Sequence, residues 1–312
     1  MKEVVGIGHA IVDVVAHEGD AFLARHALAK GGMMLANARR LSGLLKHLPD
    51  VSEHSGGSVA NTMSGLGHMG HAGLFIGKVG DDPRGKRFAR DMAHAGVAFG
   101  HIRPFKTSKT GTSCIIVTPD AQRTMTTLLG AARRLSPADL IPRDFSGAKV
   151  VLLEGYILDS PKGEGVFARA AELAGEAGAK LALSLSDAGC VARHKPFLKS
   201  FVSAHVDILF GNEGEFSAFG GFEKLKPETL AMTRGSKGAR IRMAGKTVDV
   251  PATPGVAVRD TTGAGDMFAA GFLAGFLEGK PPAECGRMGV KAAAKVIAHT
   301  GARAPGPGAP DP

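Results

Sequence analysis

The chain has no tryptophan, a single tyrosine and three cysteines in 312 residues. Without Trp, and with only Tyr156 and 16 Phe, there is little aromatic surface on which successive bases could stack, which argues against a single-strand nucleic-acid groove. The net charge of +9, 38 basic against 29 acidic residues, suits any polyanionic ligand. Its denser stretches, Arg84 to Arg90 and Arg234 to Arg242, are interrupted by glycine and apolar residues, so no nucleic-acid partner is expected. Cys114, Cys190 and Cys285 lie far apart with no CxxC pair, which excludes a zinc ribbon or a disulfide framework and suits a reducing cytosol. No stretch approaches the roughly 18 uninterrupted apolar residues of a membrane helix. The opening MKEVVGIGHAIVDVV is broken by Glu3, His9 and Asp13 and reads as a buried strand rather than a signal peptide. With 44% hydrophobic and 21% charged residues, a soluble, cytoplasmic globular protein with no membrane partner is expected.

What is present is an alternation. Val4 to Ile7, Leu74 to Val79, Val150 to Leu153, Leu181 to Leu185 and Val206 to Phe210 are short apolar runs bounded by Gly or polar residues, the pattern of buried parallel strands. Helical stretches lie between them, among them one from Ser160-Pro161 to Ala177. A parallel sheet covered by helices on both faces follows. Two segments break the rhythm, about His9 to Arg40 and about His101 to Thr127, and a small antiparallel sheet accounts for both. Ile115 to Val117 with the turn at Pro119-Asp120 reads as one hairpin arm. Arg240 to Met243 and Lys246 to Val250 form a second hairpin about Ala244-Gly245. The final APGPGAPDP, residues 304–312, has nothing to bury and is predicted to be a disordered tail.

The strongest chemical signal is DTTGAGDMFAAGFLAGFLEG, Asp260 to Gly279. Gly263-Ala264-Gly265 runs straight into a helix, and successive amides of such a turn converge on one spot and favour an anion there. Asp266 is either a cap for that helix or, beside a phosphate, a base that takes the proton of an attacking hydroxyl. The second signal is HSGGSVANTMSGLGHMG, His54 to Gly70, where Gly56-Gly57 precede a helix. Ser58 is its candidate N-cap. Asn61, one of only three Asn in the chain, offers a donor and an acceptor suited to a sugar hydroxyl. Two patterns fail as ligand loops. Gly80 to Arg87 has Walker A spacing, but Arg87 replaces the Ser/Thr and Asp81-Asp82 sit where phosphate belongs. Gly6-Ile7-Gly8 lacks its third glycine, Ile11 standing there. The twelve His form no HExxH, so no zinc is assigned.

GGSVAN from Gly56 and DTTGAGD from Asp260, in this order and about two hundred residues apart, resemble the two signatures of the ribokinase-like (PfkB) family of sugar and nucleoside kinases. The resemblance covers roughly residues 3 to 303. It implies an α/β fold, a three-layer α/β/α domain with a mostly parallel central sheet, spanning residues 1–303 as one kinase domain. A small β-sheet lid would come from about 9–42 and 98–128. Asp266 would be the base, with the amides of Gly263, Ala264 and Gly265 as anion hole. Asp13, Gly56, Gly57 and Asn61 would bind substrate. GNEGE (Gly211 to Glu215) resembles the family's NxxE element, so Asn212 and Glu215 would organise Mg²⁺, although an Asn212 helix cap is the bland alternative. TRGSKG resembles the TxGxxG loop, placing Thr233, Gly235 and Gly238 beside ATP, with His299 near its base. GHAIVD (Gly8 to Asp13), KGGMML (Lys30 to Leu35) and DAQRTMTTLLGAA (Asp120 to Ala132) look most like the adenosine-kinase branch, in which Arg123 would reach toward the transferred phosphoryl group. That branch often has Asn where this chain has His9. The implied cofactors are ATP and Mg²⁺, with K⁺ a further candidate, in a monomer or homodimer. A nucleoside kinase ranks first, a fructokinase- or ribokinase-type sugar kinase second, and a non-catalytic ligand sensor third.

Overall fold

Val4 and Val5 show why the strand runs are apolar throughout. Val4 belongs to one buried apolar cluster with Val59, Met63, Val150 and Phe272, whereas Val5 belongs to another with Leu153, Val166 and Leu183. Side chains alternate across a strand, so a strand covered on both faces needs every position apolar. The computed structural model describes residues 2–100, 104–120 and 122–303. The tail expected to be disordered, 304–312, lies outside the described residues, as does His101.

In chain order the first half contains β1 (Val4–Ile7), β2 (Ile11–His17), α1 (Asp20–Arg25), β3 (Met33–Leu35), α2 (Ala38–Leu45), β4 (Ser52–Gly56), α3 (Ser58–His68), β5 (Gly73–Ile76), α4 (Pro83–His94), β6 (Val97–Phe99), β7 (Gly111–Val117) and β8 (Arg123–Leu128). The second half contains α5 (Pro142–Phe145), β9 (Val150–Glu154), α6 (Gly163–Ala177), β10 (Lys180–Ser184), α7 (Ala188–His205), β11 (Ile208–Asn212), α8 (Glu213–Phe219), β12 (Thr229–Thr233), β13 (Ala239–Met243), β14 (Lys246–Val250), α9 (Ala264–Leu277) and α10 (Pro282–Ile297).

Nine strands form the larger sheet in the order β14-β13-β12-β11-β10-β9-β1-β5-β6. It is parallel from β12 to β6, and the β13–β14 hairpin closes one edge antiparallel. Residues of α3, α4, α9 and α10 fill one apolar cluster, and residues of α5 to α8 fill the other. This is the three-layer α/β/α arrangement expected of the chain. In such a sheet, ligands gather at the carboxyl ends of the strands.

The smaller sheet runs β3-β8-β7-β2-β4. It differs from expectation in two ways. The sheet is mixed, because β2 runs parallel to β7 and β3 parallel to β8. It also takes in β4, whose polar SEHSG gave no strand signal and which pairs antiparallel with β2. Two boundaries shift as well. The run from Leu74 ends as a strand at Ile76, and Lys78 then turns away to an ion pair with Asp139 at 2.8 Å. The helix expected from Ser160 starts at Gly163, since the Ser160 hydroxyl meets His9 Nε2 at 2.9 Å instead of capping it. Among the described residues, no helix is long and apolar enough to cross a membrane.

Candidate active site

Between the carboxyl ends of β1 and β9 and the facing side of the smaller sheet lies a cavity of about 380 Å³. It is lined by Asp13, Gly57, Asn61, Arg123, Gly263 and Asp266, residues drawn from distant parts of the chain. Apolar side chains of the smaller sheet, Met33, Leu35, Ile115 and Met125, form the opposite wall, with Tyr156 at the end of β9.

Asp266 occupies the first turn of α9 but does not cap it. The N-cap is Gly263, at φ +74°, and no side chain caps the helix. A Cβ at Gly263 would lie 2.2 Å from the Ala302 carbonyl oxygen, so only glycine lets the 301–303 segment pass here. The Ala264 amide turns back to the Thr261 carbonyl at 3.3 Å. The next amides of the first turn have no intrahelical acceptor, which leaves an N-terminus suited to an anion. The Asp266 carboxylate instead accepts the Ser58 hydroxyl at 2.7 Å and the Asn61 amide Nδ2 at 2.9 Å. Ser58, a candidate N-cap from its sequence position, is therefore a partner of Asp266. The N-cap of α3 is Gly57 at φ +92°, where a Cβ would lie 2.3 Å from the His9 carbonyl oxygen. Gly56 ends β4 in register with Ile11.

A group that sequence reasoning missed caps α3. Glu154, fully buried at the end of β9, accepts the backbone amides of His9 and Val59, both at 2.8 Å. Its only signal was a carboxylate closing the apolar run VVLLE. His9 is buried, and burial pulls its imidazole down to about 4, so the ring is neutral at pH 7. The other group missed is Arg303, whose Nε donates to Asn61 Oδ1 at 2.9 Å.

Arg123 reaches from β8 to the loop before α9. It pairs with Asp260 at 2.7 Å and donates to the Thr261 hydroxyl at 2.8 Å and to the Thr262 hydroxyl. Asp260 also accepts the Thr262 amide and, from the far end of the chain, the Gly301 amide, both at 2.8 Å.

The remaining predicted residues do not line this cavity. Asn212 and Thr233, the last residues of β11 and β12, are register partners. Gly235 and Gly238 shape the turn after β12, both at positive φ. Asn212 is a helix cap: its Oδ1 accepts the Glu215 amide at 2.9 Å, and Glu215 accepts the Asn212 amide at 3.0 Å. His299 lies just past α10 with a buried Nδ1 that has no hydrogen-bond partner among the described residues. Ala264 and Gly265 lie in the first turn of α9. The Walker-like stretch is structural, since Asp82 caps α4 through the Gly85 amide at 2.9 Å.

Burial raises four carboxyls here. It lifts Asp13, Glu154 and Glu215 to about 7 and Asp266 to about 6. Neighbouring charges add to this: Asp266 acts on the other three, Asp260 on Asp13, and Asp187 on Glu215. For Asp266, the Asn61 and Ser58 hydrogen bonds and the charges of Arg303 and Arg123 pull the other way. A carboxyl raised in the folded state stabilises the fold below its unfolded pKa, and that contribution is lost as pH rises through the folded value. Asp82, Asp120 and Asp159 are lowered and act oppositely, in acid. His9, held down at about 4, opposes this between about pH 4 and 6.5, but the four carboxyls outnumber it, so the melting temperature of the ligand-free protein is expected to fall between about pH 5 and about pH 7. Melts across that range check it, and a rise across it would contradict it.

Residues 32–308 match the family described as pfkB family carbohydrate kinase. The chain is 28% identical over 269 residues to the ribokinase of Arabidopsis thaliana, covering 80% of this chain and 68% of that one. It is 29% identical over 245 residues to the fructokinase of Klebsiella pneumoniae, covering 70% and 76%. The structure of adenosine kinase from Sinorhizobium meliloti superposes with a TM-score of 0.92 at 35% identity, over 97% of this chain and 95% of that one. A probable sugar kinase from Rhizobium etli CFN 42 gives 0.93 at 33% identity with the same coverage. The two signatures meeting in one cavity, the three-layer fold and these similarities have one explanation: the chain belongs to the pfkB family, kinases that phosphorylate sugars or nucleosides.

Proposed function

We propose that the protein transfers the γ-phosphoryl group of ATP to the hydroxymethyl group of a nucleoside, with Asp266 as the base. The observation that carries this reading is the Asp266 carboxylate, held by Ser58 and Asn61 in one cavity with Asp13, at the start of a helix that no side chain caps. The apolar wall of Met33, Leu35, Ile115 and Met125 supports a nucleoside over a free sugar, because a base buries apolar area that a sugar alone lacks.

In this mechanism Asp13, Gly57 and Asn61 hold the ribose, with Gly56 shaping the turn beside them. The smaller sheet acts as a lid that excludes water and limits wasteful ATP hydrolysis. Asp266 takes the hydroxyl proton as the oxygen attacks the γ-phosphorus in line, and ADP leaves. The amides of Gly263, Ala264 and Gly265 hold the oxygens of the transferring group, that of Ala264 by leaving the Thr261 carbonyl it meets at 3.3 Å. Thr233, Gly235, Gly238 and His299 flank the nucleotide. The residues fit a hard cation: Glu215 is a buried carboxyl facing the negative charges of Asp187 and Asp266. Since both Glu215 oxygens already engage Asn212, the two residues would hold Mg²⁺ through its water. Bound Mg²⁺ would neutralise phosphate charge.

Arg123 supplies charge to the phosphoryl group once it exchanges its hydroxyl partners for phosphate oxygens. Arg123→Ala is expected to lower kcat about 100-fold while changing nucleoside KM only a few-fold. Equal losses in both would leave it a binding residue only.

The similarity to a ribokinase and a fructokinase favours a second reading, a free-sugar kinase. Release of ADP from Mg-ATP with adenosine, guanosine, inosine, cytidine, ribose or fructose separates the two. The same assay, with and without K⁺, tests the remaining cation. Nucleoside-dependent release that Asp266→Asn abolishes is expected. Release with free sugars alone selects the second reading, and silence on every acceptor with ATP still bound selects a ligand sensor.

A further inference from the structure

Arg303 lies outside every sequence motif, yet its side chain is built into the site. Nε donates to Asn61 Oδ1 at 2.9 Å, the guanidinium lies 5.9 Å from the centroid of the Phe88 ring, and Nη2 is buried with no hydrogen-bond partner among the described residues. The backbone just before it is pinned on both sides. The Gly301 amide binds Asp260, and the Ala302 carbonyl fills the space that a side chain at Gly263 would take. The segment thus threads between the two signature motifs.

The Asn61 amide has one acceptor and two donors, and a half-turn of its plane exchanges them. In the observed orientation Nδ2 faces Asp266 and Oδ1 faces Arg303. In the reverse orientation an oxygen would meet the Asp266 carboxylate and an amide would meet a guanidinium, two like pairs in a buried place. We propose that Arg303 is a positioning residue that locks the Asn61 amide toward Asp266 and supplies the buried positive charge behind Asp266 and Asp13. This rests on Asp266 being the base.

The other charged groups around this pair are identifiable. Asp13, Arg123, Glu154 and Glu215 interact with Asp266 from β2, β8, β9 and α8. Arg303 also faces Asp91 of α4 and His68 of α3. Among the described residues, Arg303 alone of these groups joins Asp266 through an intervening amide.

The test compares the full-length protein with Arg303→Met and Arg303→Lys, each also in an Asn61→Ala background. Arg303→Met is expected to keep ATP affinity within about 2-fold, to lower kcat roughly 10- to 100-fold, and to move the acidic limb of kcat upward by about one pH unit. Arg303→Lys, which keeps the charge, should hold that limb near its original place and carries the test if the Met variant melts early. With Asn61→Ala in place, the loss in kcat from Arg303→Met should shrink several-fold. An unmoved limb, or equal losses in both backgrounds, overturns the proposal. Titration of the Asp266 carboxyl by carbon NMR, assigned with Asp266→Asn, reads the same shift without turnover. Wild-type silence on every acceptor would then defeat the kinase reading alone, and an unmoved Asp266 titration would defeat the role of Arg303 alone.

Discussion

Asp266→Asn is expected to lower phosphoryl transfer about 1000-fold or more while leaving ATP binding and the fold in place. The amide is nearly isosteric, and its oxygen can still accept from Asn61 Nδ2 while its nitrogen donates to the Ser58 hydroxyl, so the network around residue 266 survives. What disappears is the lone pair that takes the proton. Burial disfavours a charge here, with Asp266 raised to about 6, so a neutral amide should melt no lower than the wild type at pH 7 and above. In the wild type, kcat should rise as pH passes through about 6 and then level, because the carboxylate form is the active one. Turnover, ATP calorimetry and a thermal melt on one preparation decide the matter. Wild-type turnover in the variant would remove the base, and loss of fold together with turnover would return Asp266 to a structural role.

The second large effect is expected at Glu154. Truncation to alanine removes the acceptor of two buried amides, His9 N and Val59 N, and each unpaired donor costs about 1–3 kcal/mol. Glu154→Ala should therefore lose about 4 kcal/mol in urea unfolding. Activity should fall too, because those amides fix the start of α3, which carries Ser58 and Asn61, and the turn leading to Asp13. Glu154→Gln, which keeps one good acceptor and relieves the buried charge, should lose less than half as much. A loss below about 1 kcal/mol in the alanine variant would mean that water replaces the carboxylate.

These two residues also mark the limits of sequence reading. Asp266 stood out in the sequence because it follows a Gly-Ala-Gly turn at the start of a long apolar helix. The strands of the larger sheet were legible for a similar reason: burial on both faces demands unbroken apolar runs such as VVLL. Glu154 was not, since a single carboxylate after such a run looks like any strand end until the two amides it serves, one 95 and the other 145 residues away, are seen. Nor was β4, where SEHSG owes its extended form to pairing with β2 rather than to its own preferences. Ser160 misled because a Ser-Pro pair is a good helix start, and only the position of His9 shows where its hydroxyl goes. Arg303 lacked any local pattern, because its meaning lies in one contact with Asn61, 242 residues earlier.

The contact between Arg123 and Asp260 bears on how interchangeable parts of this molecule are. The smaller sheet supplies much of the wall that a base would touch, which makes it an obvious piece to transplant between relatives to alter acceptor preference. It is nevertheless not a free-standing module. Its strand β8 begins with an arginine whose partners, Asp260, Thr261 and Thr262, belong to the loop that leads into α9 beside the other sheet, and Asp260 is in turn fastened to Gly301. A chimera that brings a new sheet without a matching residue at 123 would strand a buried carboxylate at 260. One that brings Arg123 into a host lacking Asp260 would strand a cation. A transplant would therefore have to carry three distant segments together, those around 123, 260 and 301.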